Sequence, residues 1–156
     1  MIVWNRVTRL IHWAVALPIL FNYLIEGGDK AHKVLGYLAF AFVILRLIWG
    51  LISTDEANFK KFAFNIKEFG HKKFQGHNPI ASWIYLLIWA IALGLGITGY
   101  MMGLDSFWGD ERLEKFHELL ATCLQLLIGI HFLGIFFDSW KFKRKTWLGM
   151  ITGKKE

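Results

Sequence analysis

Four histidines in this chain have the residue type and the spacing to bind a metal centre: His12, His32, His117 and His131. His117 and His131 are fourteen residues apart in one apolar segment. At about 100° per residue, fourteen residues return to within about 40° of the same helix face and separate the two imidazoles by about 21 Å along the axis. This spacing predicts two stacked sites that share one helix.

The chain has four apolar segments that are each long enough to cross a bilayer, and three of them contain or adjoin these histidines. The chain has 156 residues, of which 55% are hydrophobic and 17% aromatic, too apolar for one soluble core to bury every segment. The predicted spans cover about residues 7–25, 34–52, 80–102 and 119–137, and an inner loop covers 53–79. We therefore expect an all-α fold, a four-helix transmembrane bundle, formed by a single domain over residues 1–156.

The basic residues lie mostly on one side of these spans, which explains the net charge of +6 by topology and requires no nucleic-acid partner. The positive-inside rule places both termini and the inner loop in the cytoplasm. The opposite side, with more Asp and Glu than Lys and Arg, is mildly acidic. The one cysteine, Cys123, lies inside a span, so no disulfide framework is expected.

Depth along the spans sorts the four histidines into two pairs. His12 and His131 lie near the cytoplasmic ends of their spans, whereas His32 and His117 lie just before the outer ends of theirs. Zinc requires four ligands, and the sequence suggests no other Cys, Asp or Glu at the level of His12 and His131. A hydrogen-bonded histidine pair is a second alternative. Haem is favoured because its porphyrin supplies four equatorial ligands and the protein needs only two axial ones.

Two arginines lie close to the inner pair in the sequence pattern. Arg9 precedes His12 by three residues, and Arg46 lies near the inner end of the second span. Each can neutralise a haem propionate or anchor the helix at the lipid headgroups. Arg46, together with Trp49 and Trp13, is also a candidate polar handle for a quinone. His71 and His77 fall in the inner loop and are expected to be solvated.

Several strings carry a resemblance to a known family. Arg9-Leu-Ile-His12-Trp13, His32-Lys-Val-Leu-Gly36-Tyr37, Arg46-Leu-Ile-Trp49-Gly50, the pair His117 and His131, and Met150-Ile-Thr-Gly-Lys154-Lys155 resemble the bacterial cytochrome b561 and nickel-hydrogenase b-type cytochrome subunit family. The resemblance implies a multi-pass protein of the bacterial inner membrane with two b-type haems. It also implies that His12 and His131 ligate the inner haem iron and that His32 and His117 ligate the outer one.

The expected function is electron transfer across the membrane between a quinone, ubiquinone or menaquinone, and a redox partner. The partner would be a periplasmic c-type cytochrome or an oxidoreductase subunit, and membrane lipid surrounds the chain. The resemblance also admits a superoxide oxidase, which passes electrons from superoxide to quinone, but the acidic outer loops favour a cationic partner. A third alternative is a non-catalytic membrane anchor whose histidines pack or bind a metal ion.

Overall fold

The computed structural model describes residues 4–25, 27–62, 79–143 and 145–154. Within these ranges the chain forms five α-helices and no β-strand. The helices are α1 (Arg6–Asn22), α2 (Lys30–Ile52), α3 (Pro79–Met101), α4 (Glu111–Phe142) and the short α5 (Gly149–Thr152). We call the end of the bundle at which α1 begins and α4 finishes the terminal end, and the opposite end, where α1 finishes and α4 begins, the distal end.

Polar side chains set where the first and last long helices begin. Asn5 caps α1 by accepting a hydrogen bond from the Thr8 backbone N–H at 2.7 Å. Asp110 caps α4 by accepting from the backbone N–H groups of Arg112 and Leu113. At the other end of α4, Lys143 adopts a left-handed conformation with φ 50°, which ends the helix.

Three of the helices, α2, α3 and α4, are long and apolar enough to cross a membrane. The α1 helix has 17 residues and a length of about 26 Å, at the lower limit for a span. The α4 helix has 32 residues, so the predicted span 119–137 is only its apolar middle. Hydropathy detects the part of a helix that lipid surrounds, whereas capped polar turns extend the helix beyond it. The predicted helical membrane bundle is otherwise confirmed.

Each long helix packs against the next one along the chain. The apolar core combines Val15 and Ile19 of α1, Val43 of α2, Ala92 of α3 and Leu124 of α4. Large apolar side chains also cover the outside of the bundle, among them Leu24, Leu51, Leu126, Leu133 and Phe136, each at least 64% exposed. Such a surface suits lipid and not water.

The described start of the inner loop folds back onto the bundle. Its residues Phe59–Lys61 form a 3-10 turn. The Phe59 ring packs on Gly50, where a Cβ atom would lie only 2.2 Å from it. Phe62 is buried, and the rings of Phe59 and Phe62 both pack against Trp89 of α3. Residues 63–78, which include His71 and His77, lie outside the described residues.

The C-terminal residues 145–154 form a strap across the start of α1. The Trp13 indole donates a hydrogen bond to the Met150 carbonyl at 3.0 Å, and the Trp4 backbone N–H donates to the Gly153 carbonyl at 3.1 Å. Arg9 donates to the Ile151 carbonyl. The strap therefore covers the start of α1 at the terminal end of the bundle.

Candidate functional site

A cavity of about 470 Å³ opens at the terminal end of the bundle, and two of the four histidines line it. His12 reaches it from α1 and His131 from α4, across a gap whose third wall is α3. The remaining lining is mostly apolar, with Ile84 and Ile88 of α3 among it. A volume of this size is in the range of roughly 300–1,000 Å³ that holds small molecules and cofactors.

The cavity has a polar side made by Arg46, Tyr85 and Asp138. Arg46 is 7% exposed, and its guanidinium group lies 3.4 Å from the Ala57 carbonyl, to which it donates. Buried Asp138 accepts a hydrogen bond from the Thr146 hydroxyl of the strap. A buried arginine in an apolar bundle places a fixed positive charge beside the two histidines.

The sequence analysis missed Tyr85 and Asp138. The expectation that no Asp or Glu lies at the level of His12 and His131 stays a prediction: Asp138 lines the same cavity as both, but about 10 Å further along α4 than His131. Its position seven residues after His131 puts the two on one face of α4, and this spacing was the signal available. Tyr85 gave no comparable signal, although its ring centroid lies 5.5 Å from that of His131.

The second pair lies at the distal end. The ring centroids of His32, in the first turn of α2, and His117, in the second turn of α4, are 6.5 Å apart. Metal–imidazole bonds of about 2 Å on each side of one metal ion would separate two ring centroids by roughly 6 Å. The observed spacing therefore fits two imidazoles that share one metal centre as axial ligands.

The two distal rings differ in their hydrogen bonds. The Nδ1 atom of His117 lies 2.7 Å from the Thr98 hydroxyl oxygen of α3. The Nδ1 atom of His32 is buried and has no hydrogen-bond partner among the described residues. A buried nitrogen without a hydrogen-bond partner costs free energy, because it has lost its contact with water. Binding of this nitrogen to a metal would offset that cost.

The donor set distinguishes haem from zinc. Among the residues that the structure describes, no group of three or more His, Cys, Asp or Glu side chains is arranged to hold a metal ion. Each end of the bundle instead offers two imidazoles, and the cavity at the terminal end is mostly apolar. Two axial nitrogens are what a haem iron requires from a protein, so the residues present fit haem at both ends.

Arg9 lies apart from the cavity lining. Its guanidinium group donates to the Ile151 carbonyl of the strap, and its buried Nε atom has no partner within the described part of the chain. The structure thus places Arg46, and not Arg9, against the cavity that contains His12 and His131. Arg9 holds the strap in place beside it.

One comparison with known proteins gives a match. A family model described as prokaryotic cytochrome b561 matches residues 3–153, nearly the whole chain. Neither a curated protein nor a solved structure matches the chain significantly.

Proposed function

The chain belongs to the prokaryotic cytochrome b561 family, and from that premise we propose that it is a di-haem b-type cytochrome that carries electrons across the membrane. The family makes it a membrane-embedded b-type cytochrome of electron transfer. The number of haems, their ligands and the partners are our proposal.

One observation supports two haems above all others: the four histidines form two separate pairs at opposite ends of the bundle. His12 and His131 share the terminal cavity, and His32 and His117 approach to 6.5 Å at the distal end. The α4 helix contributes one histidine to each pair. We assign these four side chains as axial haem ligands, which also makes the whole chain one functional domain.

The assigned ligands limit the chemistry. When bound, b-type haem supplies reversible one-electron transfer at its iron. Two histidine ligands leave no coordination position for an oxygen molecule or a substrate. The chain's own residues then hold the ligands in place, exclude water with apolar side chains, and position the charge of Arg46 beside the terminal pair.

Arg46 is also the best candidate for the polar end of a quinone site. The indole N–H groups of Trp13 and Trp49, the other two candidates, already donate to the Met150 carbonyl and the Thr8 hydroxyl. Arg46 has further N–H groups and lines the cavity directly. We propose that the head group of ubiquinone or menaquinone accepts a hydrogen bond from Arg46.

The charges at the two ends support an orientation and a partner class. The positive-inside rule assigns the terminal end, with Lys60, Lys61 and Lys141 nearby, to the cytoplasm. The distal end then faces the periplasm with a small excess of acidic residues: Asp29, Asp105, Asp110, Glu111, Glu114 and Glu118 against Lys30, Lys33, Arg112 and Lys115. This potential attracts a cationic c-type cytochrome or oxidoreductase subunit and repels superoxide.

The haem content of the purified protein tests the proposal. We expect a reducible b-type absorption spectrum and two haems per chain. His131→Ala and His32→Ala should each leave one haem, of different spectrum and potential, because each removes a ligand from a different pair. Leu126→Ala on the exposed face of α4 is the control and should retain two.

A colourless protein, or one haem in the wild type, would overturn the di-haem assignment. Loss of both haems in His131→Ala, with the helical content unchanged, would also contradict two independent sites.

A further inference from the structure

We propose that Thr98 is a positioning residue for the distal haem: it accepts a hydrogen bond from His117 and thereby fixes the tautomer, the orientation and the basicity of that ligand. The inference rests on the proposed function, since it takes His117 as an axial ligand. It concerns a residue of α3, the helix that contains no histidine in its described range Pro79–Met101.

The contact is short and buried. The Thr98 side chain is 5% exposed, and its Oγ1 atom lies 2.7 Å from the Nδ1 atom of His117. The same oxygen lies 2.8 Å from the Gly94 carbonyl and 3.2 Å from the Leu95 carbonyl, one turn earlier in α3. Thr98 therefore connects the α3 backbone to an imidazole of α4.

The direction of the hydrogen bonds follows from the number of hydrogens. A hydroxyl group has one hydrogen, and a carbonyl oxygen can only accept. The Thr98 hydroxyl donates to the Gly94 carbonyl, so its oxygen is an acceptor toward His117. Nδ1 of His117 then carries the hydrogen, and Nε2 is the unprotonated nitrogen that can bind a metal.

The hydrogen bond also acts on the strength of the ligand. A metal-bound histidine that donates its second N–H to an acceptor becomes more basic, and its ring is held in one orientation. Donation by Thr98 to the Gly94 carbonyl polarises the hydroxyl and makes its oxygen a better acceptor. A more basic axial imidazole stabilises ferric iron over ferrous iron, so Thr98 lowers the midpoint potential of the distal haem.

The backbone of α3 also contacts the His117 ring. A Cβ atom added at Gly99 would lie 3.5 Å from the Cε1 atom of His117, so the ring rests directly on the helix at this residue. His32, the other distal histidine, has no hydrogen-bond partner for Nδ1 among the described residues. The described residues thus fix one ligand of the distal pair by a hydrogen bond and leave the other without one.

The test compares two variants of Thr98 with a matched control. Thr98→Val keeps the shape of the side chain and removes the acceptor, whereas Thr98→Ser retains it. Thr122→Val is the control, because the Thr122 hydroxyl likewise donates to a carbonyl one turn earlier, that of Glu118. Each variant is studied as the full haem-loaded chain by redox titration and low-temperature electron paramagnetic resonance.

We expect Thr98→Val to retain two haems and to weaken the preference of the distal site for ferric iron about tenfold. This corresponds to a positive shift of about 60 mV in the distal midpoint potential. The low-spin signal of that haem should also broaden, because the ring can take more than one orientation. Thr98→Ser should restore both properties, and Thr122→Val should change neither.

An unchanged distal potential and signal in Thr98→Val would overturn the role of Thr98 while leaving the di-haem proposal intact. If Thr98→Val fails to fold, Thr98→Ser provides the test. Because its hydroxyl group is retained, a changed distal midpoint potential or low-spin signal in Thr98→Ser would overturn the proposal. A wild-type protein that lacks the distal haem would overturn this inference and the di-haem assignment together.

Discussion

The guanidinium carbon of Arg46 lies 4.7 Å from the centroid of the Trp89 ring, in the cavity that His12 and His131 also line. The ring face stabilises the cation, and the centroid of the Phe59 ring lies 5.7 Å from the same carbon. The inner-loop residues Ala57 and Phe59 thus help to hold a buried charge in the lining of the cavity that contains the terminal pair.

Arg46→Gln should lower the midpoint potential of the terminal haem. A nearby positive charge favours the reduced iron, and its removal in a medium of intermediate dielectric is worth on the order of 1 kcal/mol, or about 40 mV for one electron. Arg46→Lys retains the charge and should shift the potential less, although it loses the planar contact with Trp89. Redox titration monitored by absorption measures both haems, and equal shifts of the two would contradict a local effect.

Gly96→Ala should destabilise the packing of α2 on α3. A Cβ atom at Gly96 would lie 2.1 Å from the Cδ2 atom and 2.9 Å from the Cβ atom of Phe40, so α2 itself must move. We expect a loss of about 1–3 kcal/mol in the free energy of unfolding, measured by circular dichroism in detergent. Phe40→Ala in the same chain should recover part of it, and purely additive effects would show that the two residues do not interact.

Gly153→Ala should release the C-terminal strap. Gly153 has φ +79°, and a Cβ atom there would lie 2.6 Å from the Trp4 carbonyl oxygen. Gly109→Ala is the control, because Gly109 has φ +76° and nothing within 4 Å of its added Cβ. Both lose about 1–2 kcal/mol to the left-handed backbone, and only Gly153→Ala adds a clash. Faster proteolysis near residue 145 and a broadened terminal haem spectrum are expected from Gly153→Ala alone.

Electron transfer with a basic c-type cytochrome should become slower as ionic strength rises. The acidic distal end attracts such a partner through long-range electrostatics, which salt screens. Asp105→Asn combined with Glu114→Gln should lower the association rate about tenfold at low salt and have little effect at high salt. Glu56→Gln at the terminal end is the control, and an equal decrease there would contradict docking at the distal end. Stopped-flow absorption measures the rates.

The sequence was enough to group the four histidines by helix face and by depth, because both properties depend only on the residues of one apolar segment. Spacing placed His117 and His131 on one face of α4, and depth matched them to His32 and His12. The helical membrane bundle followed from the apolar segments in the same way. Helix face and depth need no knowledge of which helices are neighbours, whereas the approach of the two histidines in each pair depends on helix packing.

The residues that the sequence did not predict depend on contacts between distant segments. Thr98 is nineteen residues from His117, and only the packing of α3 on α4 brings its hydroxyl to the ring. Arg46 was a candidate for a haem propionate, a quinone or the lipid headgroups, but its contact with Phe59 as well as Trp89 depends on the return of the inner loop. The C-terminal strap likewise rests on backbone hydrogen bonds that hydropathy does not encode.

The α4 helix runs without interruption from Glu111 to Phe142, past both His117 and His131. A thicker or thinner bilayer tilts such a helix or deforms the lipid around it, but does not change its rise per residue. The axial interval between these two residues is therefore a fixed length, about 21 Å, set by the hydrogen-bonded geometry of the α-helix. Hydrophobic mismatch should leave the rate of electron passage between the two ends unchanged across membranes of different lipid composition.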